Sequence, residues 1–116
     1  MLASKREPRI LVAYGSGVLA TAVARRLGGS ARVELVPVSD TPRRLRRRGR
    51  CDAVLTDPFL TERERRRVRD AVASVPRPPA LVHIRNAAGQ VAADVESWGD
   101  PSGRDALGTV VAALTR

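Results

Sequence analysis

The chain has 116 residues and a net charge of +9, and 43% of its residues are hydrophobic. This length and hydrophobic content suffice for one domain (1–116) with an ordinary core. Tyr14, Phe59 and Trp98 are its aromatic residues, so the core must be aliphatic, and one cysteine and one histidine exclude an internal disulfide and argue against a cysteine–histidine metal cluster. No apolar run is as long as a membrane span and the charged N-terminal residues lack the apolar centre of a secretory signal, so we expect a cytoplasmic protein.

Strands and helices alternate along the sequence. Short apolar runs predict the strands, and apolar residues at helical spacing between glycine and proline breaks predict the helices. Residues 1–8 are expected to form a flexible tail. The predicted strands are residues 9–14, 32–38, 52–56, 80–85 and 91–96, and the predicted helices are residues 19–27, 42–49, 61–75 and 107–114.

Three local signals refine these boundaries. Pro37 cannot donate to a sheet ladder, so the second strand is expected at an edge of the sheet. Thr41-Pro42 predicts a helix start in which the Thr41 hydroxyl is the N-cap. Thr61 and Glu64 have the spacing of a capping box at the start of the third helix.

This order of elements predicts a three-layer α/β/α fold of flavodoxin-like type. The sheet is expected to be mainly parallel, with four to five strands in the order 2-1-3-4-5, and helices two and three on one side. Ligands of such folds bind beyond the carboxyl ends of the first and third strands. The loops there are 14-YGSGVLAT-21 and 56-TDPFLT-61, which should face each other.

The first of these loops is a candidate site for an anion or another ligand. Glycines lead there into a helix, and the free amides at a helix N-terminus attract anions. The alternative is that the small residues only make a tight turn between strand and helix. The candidate loop consists of Tyr14, Gly15, Ser16, Gly17 and Thr21.

Over nearly its whole length the chain resembles a response-regulator receiver domain, in RILVAYGSGVLATAVARRL and RLRRRGRCDAVLTDPFL. The resemblance places Asp57 at the phospho-acceptor position, whereas Tyr14 and Gly15 replace the acid pair that would hold Mg²⁺. It therefore implies a degenerate, atypical receiver, a non-enzymatic module of bacterial signal transduction that acts by binding protein. Alternatively, Asp57 closes the strand or caps the next turn.

Two weaker resemblances lead to other functions. AYGSGVLAT resembles the phosphate loop of the IIB domains of sugar phosphotransferase systems, with Tyr14 in place of the nucleophilic cysteine, which implies binding of a phosphorylated ligand without covalent transfer. ILVAYGS resembles the first strand of flavodoxins. Ser16 and Thr21 of this chain match the spacing of the hydroxyls in the flavodoxin phosphate loop, whereas Leu19 stands where that loop is expected to have glycine. That resemblance implies a small protein that binds a nucleotide or flavin.

Arginine accounts for twenty of the twenty-one basic residues, which indicates either a coding bias or an anionic partner. No aromatic residue interleaves with the arginine runs, so sequence-specific nucleic-acid binding is not expected. We expect a protein partner, either acidic or a second copy of the chain, with non-specific contact to an anionic surface as the alternative. The candidate partner surface is Arg43, Arg44, Arg47, Arg48, Arg63, Arg66, Arg67 and Trp98.

Two further residues have chemistry that other proteins use in sites. His83 lies inside an apolar strand and is interpreted as a core histidine whose hydrogen bonds are satisfied. Cys51 is interpreted as a small packing residue. The sequence therefore predicts no metal, no cofactor and no catalytic residue.

Overall fold

A computed structural model describes residues 8–15, 17–29, 31–47, 51–87 and 90–99, together with Gly108 and Ala112, which are helical. The last predicted helix otherwise lies outside the described residues. Five strands and three α-helices lie in the described part of the chain. They are β1 (Arg9–Tyr14), α1 (Gly17–Leu27), β2 (Arg32–Pro37), α2 (Thr41–Arg46), β3 (Ala53–Thr56), α3 (Glu62–Ala73), β4 (Ala80–Ala87) and β5 (Gln90–Ser97).

The five strands form one sheet in the order β2-β1-β3-β4-β5, which confirms the predicted fold class and strand order. The first four strands are parallel, because a helix crosses over between each strand and the next. Strand β5 is antiparallel to β4, since β4 ends at Ala87 and β5 begins at Gln90, which leaves no room for a crossover. Of the helices that the structure describes, none combines the length and apolar character that crossing a membrane requires.

Helices cover both faces of the sheet, and each face has its own aliphatic core. Alternate side chains of β1, such as Ile10 and Val12, pack on the α1 side, whereas Leu11 packs on the side of α2 and α3. The three central strands are buried on both faces, which explains their nearly continuous apolar sequences. Helix α1 contributes Ala20, Val23 and Leu27 to the first core, and helices α2 and α3 contribute Leu45, Val68, Ala71 and Val72 to the second.

Strand β2 lies at an edge of the sheet, as Pro37 predicted. Of the parallel strands whose side chains are all described, β2 is the most exposed. The side chain of Leu35 in this strand is 38% exposed to solvent. At the start of the chain, Pro8 is the last residue of the predicted flexible tail. In the structure it is buried, and its carbonyl accepts a hydrogen bond from the amide of Arg32 at 2.8 Å. Residues 1–7 lie outside the described residues.

The start of helix α2 differs from the prediction. A 3-10 turn over Val38–Asp40 precedes the helix, so that Asp40 is the N-cap residue and makes no side-chain cap bond. Thr41 is fully buried, and its hydroxyl donates to the carbonyl of Pro37 at 3.0 Å. The predicted N-cap role of Thr41 is wrong because the chain already turns helically before this residue, and its hydroxyl bonds backwards instead.

Helix α3 begins with the predicted capping box. The Glu64 amide donates to the Thr61 hydroxyl at 3.1 Å, and the Thr61 amide donates to the Glu64 carboxylate at 2.9 Å. These two bonds satisfy donors that the first turn of a helix leaves without partners. They also fix where the segment after β3 turns into α3.

Replacing Thr61 by alanine removes the acceptor for the Glu64 amide. We expect Thr61→Ala to lower the free energy of unfolding by about 1 kcal/mol, measured by urea denaturation. Thr61→Ser retains a hydroxyl and should stay close to the wild-type value. Equal losses in the two variants would contradict a capping role for the hydroxyl.

Candidate functional site

The two loops at the carboxyl edge of the sheet lie beside each other, as predicted. Ala13 of β1 is in register with Thr56 of β3, and the amide of Asp57 donates to the carbonyl of Ala13 at 3.2 Å. A Cβ added at Gly15 would lie 3.2 Å from a methyl carbon of Leu60. The first loop therefore packs closely against the segment that joins β3 to α3.

Asp57 is a buried structural residue in this arrangement. Only 1% of its surface is exposed, and its carboxylate accepts a hydrogen bond from the amide of Phe59 at 2.8 Å. The Leu60 amide donates to the carbonyl of Asp57 at 3.2 Å. This is a turn in which a carboxylate stands in for a backbone carbonyl, so the side chain of Asp57 holds the exit from β3.

The described residues of the candidate loop do not converge on one point. The side chain of Tyr14 is half-buried and packs against the core on the α1 side. A Cβ added at Gly17, the first residue of α1, would meet nothing within 4 Å. The Thr21 hydroxyl donates to the carbonyl of Gly17 at 2.8 Å, within its own helix. Ser16 lies outside the described residues, and anion binding by this loop stays a prediction.

A chain of hydrogen bonds starts at Thr56 and crosses the sheet. The Thr56 hydroxyl lies 2.6 Å from His83 Nδ1, and His83 Nε2 lies 2.7 Å from the Glu96 carboxylate. Arg69 of α3 then donates twice to Glu96, at 2.7 and 2.9 Å. The predicted satisfied histidine is confirmed, and its partners connect β3, β4, β5 and α3.

The order hydroxyl, imidazole, carboxylate in this chain resembles the arrangement that activates nucleophiles in enzymes. Thr56, however, is 1% exposed, so its oxygen cannot reach a substrate. In the neutral tautomer with the proton on Nε2, His83 donates to Glu96 and accepts from Thr56, which satisfies both ring nitrogens. We interpret the four residues as a polar cross-link that fastens the β4–β5 hairpin to the rest of the fold.

Glu96 is the charged centre of the cross-link. The hydrogen bonds from Arg69 and, in second place, from His83 hold the pKa of Glu96 at about 2, against an opposing effect of burial. The same carboxylate raises the pKa of Arg69. Sequence reasoning missed Glu96 and Arg69. The alternation in 91-VAADVE-96 was the available signal, because it places Asp94 and Glu96 on one face.

The arginines of α2 and α3, together with Arg47 directly after α2, divide into two groups. Arg44 makes a two-pronged ion pair with Glu34 at 2.7 Å, Arg69 binds Glu96, and Arg65 lies 3.5 Å from Glu62. The others are exposed and have no acidic group within ion-pair distance among the described residues. We call this second group the arginine face; it consists of Arg43, Arg46, Arg47, Arg63, Arg66 and Arg67.

Helices α2 and α3 lie on the same side of the sheet, as predicted, and both pack into one core. Arg69 reaches toward β5 from one flank of α3. With about 3.6 residues per turn, Arg63 and Arg67 lie on the opposite flank, which is directed toward α2. In the same way Arg44 contacts β2 and leaves Arg46 on the flank directed toward α3. The arginine face thus spans the junction of the two helices.

Two other predicted members of the partner surface have different positions. Arg48 lies outside the described residues. Trp98 is 46% exposed and follows β5, whose last residue pairs with Leu81 at the start of β4. It therefore lies at the amino edge of the parallel strands. Phe59, which sequence reasoning did not select, is 65% exposed at the carboxyl edge, just before α3.

Gly99 fixes the chain direction after Trp98. Its φ angle is +66°, and a Cβ at this position would lie 2.6 Å from the amide nitrogen of Ala80. A side chain would therefore meet both backbone strain and a steric clash.

Within the described ranges, no three His, Cys, Asp or Glu side chains are close enough together to hold a metal ion.

The low pKa of Glu96 predicts a specific dependence of stability on pH. The pKa is about 2 in the folded chain against an ordinary value of 4.5, so the unfolded chain binds more protons between these values. The stability that Glu96 contributes is complete above about pH 4.5 and is lost as the pH falls toward 2. Glu96→Gln removes this titration and should lose less stability over that window than the wild type.

Urea denaturation of both proteins at a series of pH values measures this difference. Glu62→Gln is the matched control, because Glu62 is exposed and its contact with Arg65 is long, at 3.5 Å. It should follow the wild-type pH dependence. Parallel curves for the wild type and Glu96→Gln would show that the cross-link does not depend on the charge of Glu96.

The chain finds no match among models of known protein families, curated proteins or solved structures. The resemblance to receiver domains therefore rests on the residues quoted above and on the strand order. The carboxyl edge, the cross-link and the arginine face are the features from which a function must be inferred.

Proposed function

We propose that the chain is a non-enzymatic interaction module of signal transduction, a pseudo-receiver that binds a protein partner and does not accept a phosphoryl group. The observation that carries this proposal is the state of Asp57. Asp57 is 1% exposed, and its carboxylate accepts a hydrogen bond from the amide of Phe59 and thereby stabilises the turn after β3.

Chemistry at the edge around Asp57 supports the same interpretation. Phosphoryl transfer to a carboxylate needs an oxygen free to attack in line and a divalent cation that neutralises the transferred charge. Gly15 brings no side chain to this edge, and the phenol of Tyr14 packs on the core. Neither residue offers the carboxylates that Mg²⁺ prefers.

The arginine face is the surface that we assign to the partner. Six exposed arginines on or directly after two adjacent helices have no ion pair within the described part of the chain and repel one another, and an acidic surface would relieve this repulsion. The guanidinium group donates two parallel hydrogen bonds to a carboxylate, which gives such a contact orientation as well as attraction. Phe59, 65% exposed in the segment that joins β3 to α3, can serve as an apolar anchor at one end of the face.

The absence of phosphoryl transfer can be tested directly. Purified protein is incubated with acetyl phosphate and Mg²⁺, and its intact mass is measured. We expect no added phosphate, because the Asp57 carboxylate is buried and the described residues around it include no group of side chains that could hold a metal ion. A phosphate that is added to the wild type and not to Asp57→Asn would overturn the proposal.

Binding through the arginine face can be tested by site-specific cross-linking. A photoreactive amino acid at position 66 is used to capture the partner in cells, and the identified partner is then purified and titrated against the chain. We expect the double variant Arg63→Glu, Arg67→Glu to bind about tenfold more weakly or worse, because like charges then face the acidic partner.

The matched control is the double variant Arg25→Glu, Arg77→Glu, which changes the net charge equally at exposed positions outside α2 and α3. It should bind as the wild type does. Equal weakening in both double variants would indicate a general effect of net charge. Cross-links to nucleic acid in place of protein would contradict the assignment of the partner.

A further inference from the structure

A cavity opens at the amino edge of the sheet, away from the loops at the carboxyl edge. Its volume is about 240 Å³, and it lies between the first residues of β1 and β2, helix α2 and Cys51, which lies shortly before β3. None of the predicted loops contributes to it. The residues that give it its chemistry are Arg9, Leu11, Arg32, Glu34, Arg44 and Cys51.

Two arginines in this cavity stand side by side, and the carboxylate of Asp52 accepts a hydrogen bond from the backbone amide of Arg9 at 2.7 Å. Arg9 and Arg32 are in register on adjacent strands, and the alternation of the strands directs both toward the α2 side. Neither guanidinium group has an ion pair among the residues that the structure describes. Like charges on directly opposed residues destabilise a sheet, so an anion between them would remove an unfavourable contact.

The third arginine is already neutralised. Arg44 donates to both carboxylate oxygens of Glu34 at 2.7 Å, which lowers the pKa of Glu34 and raises that of Arg44. Three arginines and one glutamate thus leave the lining with a net charge of +2. Because Arg44 and Glu34 neutralise each other in this ion pair, the remaining positive charge of the lining is that of Arg9 and Arg32.

The floor of the cavity is apolar. Leu11 is 2% exposed, and the thiol of Cys51 donates to the carbonyl of Ala53 at 3.3 Å. Burial raises the pKa of Cys51 to about 11, so the thiol stays neutral and unreactive near neutral pH. A ligand would therefore meet two cationic groups at the mouth and uncharged surface below.

We propose that this cavity binds a small organic dianion, whose negative charges lie between Arg9 and Arg32 and whose short apolar body rests on Leu11 and Cys51. The volume is below the range of about 300–1,000 Å³ that is usual for drug-sized ligands. It suits a phosphate monoester or a short dicarboxylate. Both classes offer oxygen pairs that match the two-pronged donors of arginine.

This site differs from the arginine face in what it recognises. The arginine face is an exposed surface on two helices, whereas the cavity is a small concave site with its charges on two strands. A ligand there would also bridge β1 to the edge strand β2. Binding should therefore raise the melting temperature of the chain.

The experiment uses the full chain with three probes, phenyl phosphate, succinate and inorganic phosphate. Calorimetric titration and thermal denaturation are carried out for each probe up to about 10 mM, where affinities near 1 mM are still measurable. We expect phenyl phosphate or succinate to bind and to raise the melting temperature, with inorganic phosphate weaker than either. The comparison of the first two probes distinguishes a phosphate monoester from a dicarboxylate.

Arg32→Gln should weaken binding about tenfold, because it removes one charge-assisted contact. Arg25→Gln, an exposed arginine on α1, is the matched control and should leave binding unchanged. Nuclear magnetic resonance shifts of the wild type give a test that needs no variant. The shifts should centre on the amides of Arg9, Arg32 and Cys51.

Three results would each overturn the proposal. The first is no binding of any probe. The second is binding outside the cavity, shown by unchanged affinity of Arg32→Gln or by shifts centred on α3. The third is inorganic phosphate binding as tightly as the organic probes, because the apolar floor would then contribute nothing.

Discussion

Burial of three parallel strands on both faces is the constraint on which the other features of this fold depend. Because β1, β3 and β4 each need cover above and below, the helices must form two layers. Parallel pairing then brings the carboxyl ends of β1 and β3 to the same edge, where the amide of Asp57 bonds to Ala13. The same pairing brings Arg9 and Arg32 together at the opposite edge. One packing requirement therefore places candidate functional residues at both the carboxyl edge and the amino edge of the sheet.

Most of the fold could be predicted from the sequence, because the signals that set it are local. Apolar runs, Pro37 and the Thr61 capping box each act within a few residues, and the structure confirms all three. Thr41 was predicted incorrectly, because the hydrogen bond of its hydroxyl depends on the preceding 3-10 turn, for which the sequence contains no signal. The partners of His83 were not predictable, because they depend on the register of β5 against β4 and on the placement of α3 across them.

The candidate site was less predictable than the fold for a related physical reason. A sequence shows how many arginines a helix carries, but not which of them an acid from another element neutralises. Arg44 and Arg69 look like their neighbours in the sequence, yet Glu34 and Glu96 engage them from β2 and β5. Helix α2 consequently separates two kinds of positive surface, with the cavity on the flank of Arg44 and the arginine face on its other side.

The edge position of β2 has a consequence for self-association. An edge strand offers unpaired amides and carbonyls to which a strand of another molecule can add. Here the strand ends in Pro37, which has no amide hydrogen, and Arg32 and Glu34 place charges along it. These features disfavour growth of the sheet by strand addition at β2. A second copy of the chain would then have to associate through a surface other than the β2 edge, so that self-association of the protein does not depend on the unpaired amides and carbonyls of this strand.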